Sequence, residues 1–512
     1  MARNRGPTWI PKPEDYQRVL FDQNPWRASG GVPHELAFEI ERPLAKHLWR
    51  QLTDNPLRRF QLVLGPRRVG KSTAMYQTVR KLMNQKIAKR RLWWLRLDHP
   101  HLMEIPLGDL VKMTMRLSQA KASEPVFLFL DELTYADKWD YWLKTFYDEN
   151  WPVRIIGTSS STAALRDRRL ESGVGRWEEQ YLAPYLFNEY LDLTRAAIPS
   201  IPIGPTLWHT ITESIESTTD VGVLSESRRK FLLMGGFPEL LIANRENQPD
   251  DASALLQSQR VLRTDAIERA VYKDIPQAFS IGSPLDLEKV LYTLAGQFAG
   301  IMSPQNICQN LRGLSQPTFE RYLGYLERAF IVFTIPNYSG SEISKQKRGR
   351  KLYFVDGAVR NAALQRGIAP LKDAAEMGLL MENLAAGHLH ALSQQSQVRL
   401  YHWRDKDHEV DLVYDHPSHP IAFEIASSPG HSRDGLRAFI ERFPRFKGRC
   451  YIVHSDAVNE LAHKTTEGIG IMPIDLFLLA VGAQTESELA NRLGAQGVPQ
   501  LPLWGSFSES SS

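Results

Sequence analysis

Residues 60–73 read "FQLVLGPRRVGKST", a strand, a glycine-rich turn and the start of a helix in one run. Its first five residues form a mostly apolar run of strand length, and Gly65-x4-Gly70-Lys71-Ser72 follows directly, with helix-forming residues after it. The glycines let backbone N–H groups wrap phosphate oxygens. Lys71 is long enough to reach the β- and γ-phosphates of a nucleoside triphosphate, and Ser72 offers a hydroxyl to Mg2+. A helix starting there adds the partial positive charge of its N-terminus. Gly65, Pro66, Arg67, Arg68, Val69, Gly70, Lys71, Ser72 and Thr73 are therefore the expected binding site for ATP, with Mg2+ as its metal.

A phosphate loop needs an acidic partner, and "PVFLFLDELTYADKW" supplies it at 125–139. Four apolar residues end in Asp131, placed to hold Mg2+ together with Ser72, and in Glu132, placed to orient or deprotonate the attacking water. Hydrolysis is thus expected, with Lys71 and Glu132 as catalytic groups. "VRIIGTSSS" is another strand-like run, and either Thr158 or Ser159 is positioned to sense the γ-phosphate. "RLWWLRLD" adds one more apolar run between helical stretches. Such alternation predicts an α/β class with a parallel sheet covered on both faces.

Outward from this core, the 512 residues read as several units: an extended N-terminal arm at 1–35, the P-loop domain at 36–195, and a helical lid or linker at 196–275. A winged helix-turn-helix at 276–370, an α+β domain at 371–485 and a tail at 486–512 follow. Charged residues make up 23% and hydrophobic ones 43%, which excludes wholesale disorder. The net charge of +4 permits nucleic-acid contact without arguing for it. Cys308 and Cys450 stand outside any metal-binding or CxxC spacing, which predicts a cytoplasmic location and no structural zinc. No stretch reads as a signal peptide or a membrane span.

"GPRRVGKST", "FLDELTYADKW", "IIGTSSS" and "GRWEEQYLAPYLFNEYL" carry a resemblance that continues through "LLMGGFPELL", "VYKDIP", "KLYFVDGAVRNA", "GLLMENLAAGHL" and "YHWRDKDHEVDLV". In this order, over roughly 40–460, the chain resembles prokaryotic AAA+ ATPases whose P-loop domain is joined to a C-terminal domain with a PD-(D/E)xK nuclease-like fold. The resemblance implies an arginine finger at Arg176, often supplied by a neighbouring subunit, and hence a possible homo-oligomer. It also implies that Glu382 stands where that nuclease-like fold has its first carboxylate.

In the nuclease-like segment, Asp411 and Glu424 sit on two short strands around a turn, and such folds place a lysine two residues after the second acid. That position is Ala426, so Glu382, Asp411 and Glu424 read as a degenerate site. In the middle segment, "SQPTFERYLGYLERA" reads as a recognition helix with Arg321 as its one clear phosphate reader. The next connection carries Lys345, Lys347, Arg348, Arg350 and Lys351, a candidate DNA contact. Three functions remain open: an ATP-driven switch coupled to DNA, an ATP-gated nuclease, and a nucleotide-sensing switch that binds a partner protein instead of DNA.

Overall fold

The computed structural model describes residues 13–54, 57–159, 175–196, 198–217, 224–244, 252–279, 281–311, 313–339, 349–426, 431–454 and 468–492. Five parallel strands form the first sheet: β1 (Phe60–Leu64), β2 (Leu92–Arg96), β3 (Val126–Asp131), β4 (Val153–Ser159) and β5 (Trp177–Tyr181), in the order β2-β3-β4-β1-β5. Alternate residues feed two cores. Leu62 and Leu64 point into one with Trp93 and Leu128, while Val63 points into the other with Phe129 and Ile156. Burial on both faces is what a parallel sheet requires, and it explains why these strands read as unbroken apolar runs.

The N-terminal segment is not extended where it is described. Pro13–Asp22 and Trp26–Ser29 are helices, with Leu20 and Trp26 fully buried. Between them Asn24 blunts the edge strand β2: its Nδ2 donates to the Trp94 carbonyl at 2.9 Å, and its Oδ1 accepts from the Trp94 N–H at 2.6 Å.

Helices Leu207–Glu216, Ser225–Met234 and Pro238–Ala243 lead into one continuous helix over 252–278. Its ends are α-helical, but Arg263–Glu268 and Ala270–Asp274 are π-helical. Next come helix Pro284–Gly296, β6 (Gly300–Ile301), helices Pro304–Asn310 and Gln316–Arg328, then β7 (Val332–Ile335) and β8 (Lys351–Phe354). These strands make an antiparallel sheet in the order β6-β8-β7. Ser315 caps helix Gln316–Arg328 by accepting from the Thr318 N–H.

The C-terminal part has its own mixed sheet, β13-β12-β11-β10-β9, made of β9 (Leu400–Asp405), β10 (His408–Tyr414), β11 (Ile421–Ala426), β12 (Cys450–His454) and β13 (Ile469–Pro473). β9, β10 and β11 are antiparallel, whereas β11, β12 and β13 run parallel. The 23-residue helix Ala374–Ser396, capped by Asp373, lies against this sheet. The last described helix, Ile474–Asn491, extends beyond the boundary expected at 485 and returns to the front of the chain. Its Asp475 pairs with Arg228 at 2.7 Å, and Gln484 accepts from Thr210 at 2.7 Å. Arg492, just after it, donates to Gln180 of β5 at 3.1 Å. The C-terminal unit is thus clasped to the P-loop unit. The fold is α/β, with a P-loop parallel sheet, a helical middle and a separate C-terminal sheet.

Candidate functional site

At the carboxyl end of β1 the chain turns through Gly65 (φ 154°), Arg68 (φ 66°) and Gly70 (φ 90°) before helix Lys71–Asn84 begins. A side chain at Gly65 would place its Cβ 2.2 Å from the Leu182 carbonyl oxygen, so close passage of the chain just after β5 requires glycine there. Strand β4 lies between β1 and β3, which sets Thr158 beside the acidic end of β3. Ser72 Oγ lies 3.1 Å from both Asp131 oxygens, and Thr158 Oγ1 donates to Asp131 Oδ1 at 2.6 Å. Thr158 Oγ1 also accepts from the Glu132 N–H at 3.1 Å. Thr158 is thus a β4 residue of this web.

Lys71 Nζ donates to the Gly65 and Pro66 carbonyls at 2.9 and 2.7 Å. Burial brings its ammonium down to about 8, against the pull of Glu132. Burial likewise pushes Asp131 up to about 6, although hydrogen bonds from Thr158 and Ser72 oppose it. Ser72 and Asp131 are adjacent oxygen donors, one hydroxyl and one carboxylate, and they fit a hard divalent cation such as Mg2+.

The two loop arginines face the helical middle. Arg67 meets Asp274 through Nε at 2.5 Å and Nη2 at 2.6 Å, with its Nη1 3.7 Å from Glu132 Oε1. Arg68 reaches Glu239 and Asp265, each at 2.5 Å. Sequence reasoning missed these three acids. Asp274 sits in "VYKDIP", and only the fold brings it back to residue 67.

Arg176 stands elsewhere. It precedes β5, beside the start of β1, and its Nε and Nη2 clasp Asp148 at 2.8 and 3.0 Å. The phosphate loop is at the other end of β1, a five-residue strand or about 16 Å away. Arg176 is thus remote from its own chain's phosphate loop, and a single chain does not test the expected finger supplied by a neighbouring subunit.

The C-terminal carboxylates do come together, around a lysine that the sequence placed on a DNA-binding surface. Lys351, at the start of β8, has a side chain only 3% exposed. Its Nζ lies 2.7 Å from Glu382, 2.8 Å from Glu409 and 2.8 Å from Asp411. Burial opposes its charge, yet Asp411, Tyr353, Glu382 and Glu409 together hold it well above the ordinary lysine range. Burial and the Asp411 charge push Glu382 up to about 7 and Glu424 up to about 8. Glu424 Oε1 pairs with His431 at 3.1 Å, and Tyr353 donates to Glu382 at 2.6 Å.

Lys351 is therefore not a surface phosphate contact, and its cation sits among acids brought from other elements. Among the described residues, no group of three or more His, Cys, Asp or Glu side chains is arranged to hold a metal. Of the remaining expected DNA contacts, Arg350 is tied to Glu320 at 2.5 Å and Arg321 is exposed. Lys345, Lys347 and Arg348 lie outside the described residues. Cys308 and Cys450 are both free thiols, and among the described residues no helix is long and apolar enough to cross a membrane.

Family models match three stretches of the chain. Residues 57–191 match the family model described as an AAA domain, while 225–369 and 377–477 match models of two domains of unknown function, DUF8612 and DUF4143. Among curated relatives, the uncharacterized protein MJ1637 of Methanocaldococcus jannaschii is 25% identical over 77% of this chain and 81% of its own length. A second from that organism, MJ1544, is 22% identical over 69% and 72%. Among solved structures, the Walker-type ATPase PABY2304 of Pyrococcus abyssi is 16% identical, with a TM-score of 0.40 over 65% of this chain and 98% of its own. Cdc6p from Pyrobaculum aerophilum is 13% identical, with a TM-score of 0.28 over 70% and 97%. The chain carries an AAA-type P-loop ATPase domain followed by two domains of unknown function, the last with DUF4143 as its match.

Proposed function

We propose that this protein binds ATP with Mg2+ and hydrolyses it, and that it works as a molecular switch coupled to DNA without cutting it. The observation that carries the reading is the web joining Ser72, Asp131, Thr158 and Glu132 beside Lys71. In this reading the backbone from Gly65 to Thr73 cradles the phosphates, and Lys71 neutralises their charge. Ser72 and Asp131 would hold Mg2+, which when bound polarises the phosphoryl oxygens and offsets developing charge. Glu132 orients the attacking water and accepts its proton, while Thr158 holds Asp131 in place and senses the γ-phosphate. Arg176 is assigned no part in its own chain's site. A role in a neighbouring subunit would require it to leave Asp148.

The helices Pro304–Asn310 and Gln316–Arg328 with β6, β7 and β8 act as a winged helix, and Arg321 with Lys345, Lys347 and Arg348 contacts DNA phosphates. The carboxylates Glu382, Asp411 and Glu424 remain from a nuclease-like site, with the charge of Lys351 on Glu382 and Asp411 and His431 on Glu424. A partner-protein reading gains from the removal of Arg350 and Lys351 from the accessible cations.

Steady-state ATP hydrolysis with and without duplex DNA at two salt concentrations, with Lys71→Ala as the blank, tests the proposal. DNA stimulation that salt abolishes supports coupling to DNA. Lys71-dependent hydrolysis indifferent to DNA favours the partner protein, and Mg2+-dependent strand breakage lost in Asp411→Asn would overturn the non-cutting role.

A further inference from the structure

We infer that Arg67 and Arg68 form a nucleotide-linked latch on the π-helical stretch 263–274, which reports the state of the phosphate loop to helix Pro284–Gly296. The inference rests on the ATP-binding reading above and assigns its regulation.

Both arginines of the loop grip carboxylates of the same helix. Arg67 holds Asp274, the last residue of one π segment, and Arg68 holds Asp265, within the other. These acids lie nine residues apart. In an α-helix of 3.6 residues per turn, nine residues make two and a half turns and put them on opposite faces. A helix closed by i→i+5 hydrogen bonds has about 4.4 residues per turn, so nine residues are close to two turns and share a face. The unusual winding is what turns Asp265 and Asp274 together toward the phosphate loop. Conversely, their ion pairs hold a winding that helices otherwise adopt only in short pieces.

Arginine's planar fork binds carboxylate and phosphate by the same bidentate geometry, so a phosphate arriving beside Lys71 competes with Asp274 for Arg67. Arg67 is also within 3.7 Å of Glu132, which places the competition next to the water-orienting acid. Loss of the arginines removes the reason for the π winding, and relaxation toward an α-helix rotates one acid away from the other.

That rotation is transmitted by side chains already in place. Tyr272 donates to Glu288 at 2.8 Å, Tyr292 donates to the other oxygen of Glu288 at 2.8 Å, and Arg263 donates to Tyr292 at 3.0 Å. One tether to helix Pro284–Gly296 therefore leaves from each π segment.

Affinity for a non-hydrolysable ATP analogue with Mg2+, and amide hydrogen exchange over 263–274 with and without it, are measured on the full chain. The variants are Asp274→Asn, Asp265→Asn and Lys71→Ala. The latch predicts faster exchange over 263–274 when wild type binds the analogue, and no change in Lys71→Ala. Asp274→Asn binds the analogue at least about fivefold tighter and exchanges fast without it. Asp265→Asn, at the more exposed acid, shows the same trend and carries the test if Asp274→Asn does not fold. Lys71-dependent binding with unchanged exchange, and affinities of the folded variants within about twofold of wild type, overturns the latch and leaves ATP binding standing. Absence of Lys71-dependent binding overturns both.

Discussion

Replacing Lys351 by methionine keeps most of the apolar stem and removes the ammonium that touches Glu382, Glu409 and Asp411. The carboxylates then stay in a site from which water is largely excluded, with side chains of Glu382 and Asp411 only 12% and 11% exposed. Breaking a buried ion pair from one side costs about 3–5 kcal/mol, because it strands the partner charge. For a cooperative unit of about 150–250 residues that is roughly 6–20 °C in melting temperature.

The sign with pH follows from the acids. Glu382 and Glu424 are held up at about 7 and 8, so below those values they become neutral, and the stranded charge shrinks. Thermal melting of Lys351→Met and wild type, near neutral pH and again at about pH 5, measures both effects. The loss is expected to be large near neutrality and smaller in acid, and adding Glu382→Gln and Asp411→Asn should recover much of it. A melting temperature within about 1 °C of wild type near neutral pH would refute the assignment of Lys351 as the charge that holds the cluster.

Gly65→Ala is expected to abolish ATP binding, read by calorimetric titration, because its Cβ would overlap the Leu182 carbonyl at 2.2 Å; ordinary affinity would show that the strand can move aside. Asp131 is raised from 3.8 to about 6, so its contribution to stability is full below 3.8 and is lost as pH rises through about 6. Its carboxylate form is lost in the opposite direction. The Mg2+ concentration needed for half-maximal turnover should therefore rise about tenfold per pH unit below about 6, and a flat response contradicts the Ser72–Asp131 assignment. Arg228→Ala should lower stability by about 3 kcal/mol in thermal melts by stranding buried Asp475, with Arg228→Met/Asp475→Leu largely restoring it.

The P-loop domain was legible because its signals are local. "FQLVLGPRRVGKST" and "PVFLFLDE" each hold strand, turn and chemistry within fifteen residues, and β4 delivers Thr158 to Asp131 by sheet order alone. Lys351 was misread because it follows a run of basic residues, and that composition outweighed its place at the head of the apolar strand "KLYF". A strand's first residue goes inward or outward according to partners 31 to 73 residues away, which no local pattern specifies. The acids that hold Arg67 and Arg68 were hidden by longer separations, 171 to 207 residues, and by the π winding. Helical periodicity at 3.6 puts Asp265 and Asp274 on opposite faces. The N-terminal arm misled through its prolines and glycines. Pro13 starts a helix and Gly30 ends one, so these residues mark helix boundaries there instead of an extended chain.

In the proposed function the loop at Gly65–Thr73 and the acids Asp131 and Glu132 form a working ATPase. Its most direct test is to measure analogue binding and steady-state phosphate release together for wild type, Lys71→Ala and Glu132→Gln. Turnover is expected in wild type, loss of both binding and turnover in Lys71→Ala, and retained binding with turnover reduced at least about 100-fold in Glu132→Gln. Turnover that persists in Glu132→Gln, or wild-type phosphate release no greater than that of Lys71→Ala, would contradict it.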